Sequence, residues 1–111
     1  MKEPIVFKTE DSLWQMMARG EKTWDARRYD MADDRIYRLA WGKPWGRKES
    51  RARRDQYPWE GWVPDEKTVS FWNKATEETL TFRYLGMEFT PWAPGWCFLL
   101  LGEWVEEEKE R

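Results

Sequence analysis

Histidine is absent from this chain, and cysteine occurs once, at Cys97. The first absence removes Ser-His and Cys-His catalysis together with histidine-ligated metals. The second rules out an intrachain disulfide and, without histidine, a zinc site, so neither metal nor cofactor is expected. Any catalysis would have to run on Lys, Asp, Glu, Tyr, Thr or Arg. Long apolar runs are missing too. The longest, Trp96-Cys97-Phe98-Leu99-Leu100-Leu101, falls far short of the roughly 20 residues that cross a bilayer. Met1-Lys2-Glu3-Pro4 lacks the apolar segment of a secretory leader. A cytoplasmic protein with no membrane partner is expected, with Cys97 as a buried, inert thiol. A surplus of either charge sign is also lacking. Nineteen basic residues face 21 acidic ones, a net charge of −2, so a bulk electrostatic grip on a nucleic-acid backbone is excluded and any grip must be local.

What is present begins with tryptophan, at ten residues spread along the chain without a repeat. Each indole adds much apolar area to a small core, but ten exceed what one core absorbs, so several are expected to line a cleft or cover the surface. With 111 residues there is room for one domain, here 1–111, and a composition of 41% hydrophobic and 36% charged residues is that of a globular chain rather than a disordered one.

Ile5-Val6-Phe7 reads as a first strand, and Thr9 to Ser12 as the start of a helix carrying Leu13, Trp14, Met16 and Met17, with Gly20 as its C-terminal cap. Lys22 to Tyr29 reads as a strand. Its expected core face carries Trp24 and Ala26, with Thr23, Asp25 and Arg27 on the other. Asp30 is placed as the cap of a second helix with Ile36, Leu39 and Ala40 on one side and Gly42 at its end. Residues 43–63 are basic, Trp-containing and broken by Pro and Gly, and read as an insertion or long loop. Val69–Asn73 and Thr79–Phe89 form a hairpin, with Gly86 marking a bulge. Cys97–Val105 is apolar enough to predict a strand buried on both faces, and 106–111 is a charged tail. The order predicts an α+β chain: a small, mostly antiparallel barrel with two or three short flanking helices.

Gly20-Glu21-Lys22-Thr23-Trp24-Asp25-Ala26-Arg27 resembles the signature of the ASCH family, a branch of the PUA-like barrels. That signature is Gly-x-Lys-x-x-Glu-x-Arg, at the junction of a short helix and a strand; Gly20, Lys22 and Arg27 match, and Asp25 stands for the Glu. Pro64-Asp65-Glu66-Lys67-Thr68-Val69-Ser70-Phe71 is similar to the family's Gly-Asp-x-Val-x-Phe lead into its next strand, without the Gly. The likeness covers 5–42 and 64–105. It implies a cleft that faces single-stranded RNA, a nucleoside or a modified base. Some relatives are amidohydrolases that remove the acetyl group from N-acetylated cytidine with a Lys at the Lys22 position, a Thr at the Asp25 position and a distant Glu, for which Glu88 is the positional candidate here. Other relatives are ribonucleases.

From the residues themselves, Asp25 and Arg27 lie two apart on one strand and so share a face, where an Asp can orient an Arg toward a phosphate or a base edge. A desolvated Lys22 could act as a base, while a nearby Asp opposes that shift. Trp92 and Trp96, in a proline-stiffened loop, are candidates for stacking on a base, although a buried position suits Trp96 better; Arg83 is a lone cation that could enter the cleft or pair with Glu88. Arg47, Lys48, Arg51, Arg53 and Arg54 could follow a nucleic-acid backbone or form a solvated face. The expected partner is RNA or a nucleotide-like ligand, bound without turnover. The alternatives are a metal-independent hydrolase using Lys22, Asp25 and Glu88, and an interaction domain whose basic, Trp-rich loop meets an acidic protein. The indoles could also serve a homodimer interface; a monomer is equally compatible.

Overall fold

The computed structural model describes residues 3–44 and 62–105. Strand β1, Val6–Thr9, alternates strictly: Phe7 and Thr9 are buried, and Val6 and Lys8 are exposed. Helix α1, Asp11–Ala18, follows, with Trp14 and Met17 buried beneath the sheet and the Trp14 indole N–H donating to the Phe71 carbonyl at 2.9 Å. Gly20, at φ 76°, ends the helix as expected. Its N–H donates to the Met17 carbonyl and the Glu21 N–H to that of Met16, the paired bonds of a Schellman cap.

Strand β2, Trp24–Arg28, and helix α2, Asp34–Leu39, come next. Asp33, rather than Asp30, caps α2 by accepting from the Arg35 N–H. Asp30 is instead spent on the preceding turn, where its carboxylate takes the Ala32 N–H, so the helix starts one turn later. Its last turn closes at Ala40, and Gly42 belongs to the following strand. The Tyr84 hydroxyl donates to the Leu39 carbonyl at 2.7 Å and pins the end of α2 to the sheet.

Strands β3, Gly42–Pro44, and β4, Trp62–Pro64, pair antiparallel, so the basic segment leaves and returns at one place. The expectations for its interior, including Arg47, Lys48, Arg51, Arg53 and Arg54, fall outside the described residues. Strands β5, Thr68–Asn73, β6, Thr79–Glu88, and β7, Trp96–Trp104, complete a five-stranded sheet of order β1-β5-β6-β7-β2. Only β1 with β5 is parallel. The fold is therefore α+β, a mixed, mostly antiparallel sheet curled into a half-barrel with two helices. Register shifts in the β6–β7 pairing flank Tyr84, the second running up to Gly86 at φ 143°. This is the expected bulge, and it bends the two longest strands. Inside the curl, Phe7, Trp14, Met17, Ile36, Leu39, Phe71, Phe82, Tyr84, Leu99 and Leu101 are among the buried residues of one core.

Two face assignments are corrected. On β2 it is Asp25 that is buried and Trp24 that is exposed, so Asp25 and Arg27 point into the curl. Alternation yields two faces but cannot say which is inner. The choice falls this way because Trp24 finds Phe98 on the outer side of β7, with ring centroids 5.8 Å apart. Strand β7 is not buried on both faces either. Cys97, Leu99 and Leu101 are sealed inside, whereas Phe98 and Leu100 are only half-buried outside. Of the indoles whose burial is described, Trp14 is the one in the core, in line with the expected surplus of surface tryptophan. No helix among the described residues is long and apolar enough to cross a membrane.

Cys97, near the start of β7 and paired with Arg27 of β2, is fully buried, with its thiol near the Arg27 carbonyl. Burial pushes the thiol up from its ordinary 9.0 to about 11. The folded chain thus keeps a proton that the unfolded chain releases, so stability falls as pH rises through that window, by about 2–3 kcal/mol in full. Urea melts from pH 8 to 11 are expected to show this fall in wild type and to lose it in Cys97→Ala. Parallel profiles for the two proteins would refute the assignment.

Candidate functional site

The curl brings the two edge strands, β1 and β2, toward each other without backbone pairing. One arginine bridges the gap, and a second ties α2 to the same edge of β1. Arg27 on β2 donates through Nε to the Asp25 carboxylate at 2.5 Å, and through Nη2 to the Lys8 carbonyl at 3.2 Å and Thr9 Oγ1 at 3.4 Å. Arg35 on α2 donates through Nη1 to the Val6 carbonyl at 3.0 Å, while Asp33 holds its Nε and Nη2 at 3.0 and 2.7 Å. The Val6 and Lys8 carbonyls face away from β5, since the neighbouring Ile5 and Thr9 carbonyls are the ones bonded across to that side. Open edge carbonyls invite pairing with another chain, and here side-chain donors occupy them.

Both guanidinium groups sit over the Phe7 ring, Arg27 at 4.6 Å and Arg35 at 4.3 Å from its centroid. Each makes three hydrogen bonds, leaving N–H donors unspent among the described residues. Each cation has its own carboxylate and lies against the Phe7 ring, which offsets the cost of placing two like charges in one region. The pairing is reciprocal at Arg35: its hydrogen bonds hold Asp33 below the usual carboxylate range, and Asp33 raises the arginine further. Lys8 and Arg28 add two cations with no ion pair among the described residues. The Arg28 guanidinium lies 5.5 Å from the centre of the Trp96 indole.

Two clefts open at this seam, and both are lined by Arg27 and Arg35. The first, of about 590 Å³, adds Val6, Lys8 and Trp72. The second, of about 320 Å³, adds Arg28, Asp30, Asp33 and Trp96 among others. Both volumes fall within the range of about 300–1,000 Å³ usual for small-ligand sites. The chemistry on offer is a set of convergent cationic donors with an indole in each cleft. This suits a phosphate flanked by planar groups.

The other residues singled out in the sequence are dispersed. Lys22 is half-buried just before β2, its ammonium 3.8 Å from the centre of the Trp24 ring. Of the opposing influences on it, burial wins: the ammonium is held below the usual lysine range, with Asp25 acting against the shift and Arg27 with it. Glu88 is exposed on the outer face, in a groove with Trp24, Phe89 and Phe98. The register aligns Glu88 with Phe98 and Ala26, one residue out of step with Asp25, so the two carboxylates occupy opposite faces of the sheet. Arg83 faces Glu103 across β6–β7 at 3.7 Å rather than Glu88. Trp92 is 90% exposed at the tip of its loop, and Trp96, for which burial was expected, is 40% exposed. That exposure follows from its place at the start of β7, beside Arg28, where the sheet ends.

Sequence reasoning missed Lys8, Arg28, Arg35 and Trp72. Arg28 directly follows the signature, and Lys8 shares the exposed face of a predicted strand with Val6, so both were within reach. Nothing in the spacing of Arg27 and Arg35 announces that they converge, because the meeting depends on the curl of five strands. Comparison of the chain with protein-family models, with curated proteins and with solved structures finds no match in any of the three.

Proposed function

We propose that this chain is an ASCH-type binding module that holds RNA or a nucleotide-like ligand at the seam between β1 and β2. One observation carries the reading: the Arg27 and Arg35 guanidinium groups converge on Phe7, each already oriented by a carboxylate, with N–H donors left over. Pre-orientation of this kind removes much of the entropic cost of gripping an anion. Lys8 and Arg28 supply the local positive charge that a chain of net charge −2 must concentrate somewhere to meet a phosphate. Trp96 supplies a face on which a base can stack, worth about 1–3 kcal/mol per base. The resemblance of the Gly20–Arg27 segment to the ASCH signature adds support, because Asp25 and Arg27 belong to both. The hydrolase alternative calls on Lys22, Asp25 and Glu88, and the opposite-face placement of Glu88 favours binding over turnover.

The test is tryptophan fluorescence during titration with a short single-stranded RNA at low and moderate salt. Saturable quenching is expected, weakening as salt rises. Lys8→Ala and Arg28→Ala, both at exposed positions, are each expected to cut affinity about 3–10-fold. Each should also flatten the log–log salt dependence by about 0.7, the increment for one phosphate fewer neutralised on a single strand. An absent response, or affinity unchanged in both variants, would sink the proposal.

A further inference from the structure

The two clefts at the seam share Arg27 and Arg35 and, among the described residues, differ in the rest of their walls. Beyond the pair, one cleft continues along Val6 and Trp72, with Lys8 beside them, and the other toward Trp96 and Asp30. The arrangement repeats one motif, an indole in a cleft, on both sides of a shared pair of cations. A mononucleotide would occupy one cleft and leave the second indole unused.

From this we infer that the seam binds a dinucleotide step of a single strand: the internucleotide phosphate sits on Arg27 and Arg35, and the two bases lie in the two clefts against Trp72 and Trp96. The inference rests on the nucleotide reading of the seam. Charge places the phosphate. Asp30, on the wall of the Trp96 cleft, repels an anion there and favours the neutral part of a nucleotide, whose ribose hydroxyl or base amino group can donate to it. Val6 and Trp72 offer an apolar surface suited to a base, with the Lys8 ammonium in reach of the next phosphate along the strand. Among the described residues, the guanidinium pair is what the two clefts have in common. The N–H donors that both guanidinium groups keep unspent can meet the two free oxygens of a phosphodiester. Arg28, lying over Trp96, adds a second flat cationic surface for the base in that cleft.

The experiment compares two ligands of equal charge by calorimetric titration of the full chain: the dinucleoside monophosphate ApA, with two bases on one phosphodiester, and the methyl ester of adenosine monophosphate, with one. Stacking of a second base predicts that ApA binds about tenfold tighter or more. Trp72→Leu and Trp96→Leu should each bring ApA down toward the one-base ester, whereas the ester itself should respond to only one of the two substitutions. The wild-type comparison stands even where a variant folds poorly. Equal affinities for the two ligands, or binding of an RNA strand without binding of ApA, would overturn the dinucleotide inference and leave the nucleotide reading intact. Silence toward ApA, the ester and the RNA strand alike would remove both.

Discussion

Arg27→Met is expected to destabilise the chain by about 3–5 kcal/mol and to abolish ligand binding at the seam, whereas Asp25→Ala should cost clearly less. The asymmetry comes from burial. The Asp25 side chain is 5% exposed and that of Arg27 is 26% exposed, so removing the arginine strands a carboxylate inside the curl. Removing the aspartate leaves a guanidinium that still has the Lys8 carbonyl, Thr9 Oγ1 and some solvent. Arg27→Met also frees an edge carbonyl of β1 and loosens the closure of the half-barrel, while the methionine stem still packs on Phe7. The double substitution Asp25→Val with Arg27→Met removes both charges and is expected to recover most of the missing stability without recovering binding. Urea denaturation of the four proteins measures this. A double variant as unstable as Arg27→Met alone would show that the bridge to β1, and not the buried charge, dominates.

Asn73→Ala is expected to cost about 3 kcal/mol, a fall of roughly 10–20 °C in Tm. Asn73 is fully buried at the end of β5, and its side chain serves two segments. The carbonyl oxygen accepts from the Ala75 and Thr76 N–H groups and shapes the turn into β6; the amide donates to the Asp11 carboxylate at 2.8 Å. Truncation therefore leaves a tight turn and the first turn of α1 short of partners at once. A pH signature accompanies the destabilisation. The Asn73 amide, helped by Gln15, holds Asp11 below its ordinary 3.8. Stability from that hydrogen bond is fully present above the ordinary value and disappears as pH falls through the lower folded value. Wild type should lose this component on acidification, and Asn73→Ala should have little of it to lose. Melting curves from pH 6 down to 2.5 decide the matter: equal acid sensitivity in both proteins would argue that the amide hydrogen bond has no thermodynamic weight.

Both predictions turn on polar side chains inside the curl, and the sequence is informative about these only in part. That Asp25 and Arg27 share a face follows from the two-residue period of a strand, and their ion pair needs nothing more. Gly20 as a helix cap, Gly86 as a bulge and the hairpin around residues 74–78 were equally legible, because each depends on the conformational freedom of a residue or on local pattern. Which face of β2 is inner was not legible, since alternation is symmetric under exchange of the faces. The way these residues come together at the seam was out of reach for a different reason. Lys8, Arg27 and Arg35 belong to a strand, a second strand and a helix that meet only because five strands bend about the β6–β7 bulge and bring the sheet's edges together.

By itself, then, the sequence determined the local grammar of this protein: the absence of histidine chemistry, a single inert thiol, the helix and strand order apart from the short β3–β4 pair, the Asp25–Arg27 pair and more tryptophan than a core can hold. Tertiary structure alone decided that Trp24 is outside and Asp25 inside, that Glu88 and Asp25 are separated by the thickness of the sheet, and that arginines from β2 and α2 share the Phe7 ring of β1. The division has one physical origin. Propensity, capping and alternation act over a few residues, whereas the convergence of edges is set by the summed twist and register of strands paired far apart in the chain.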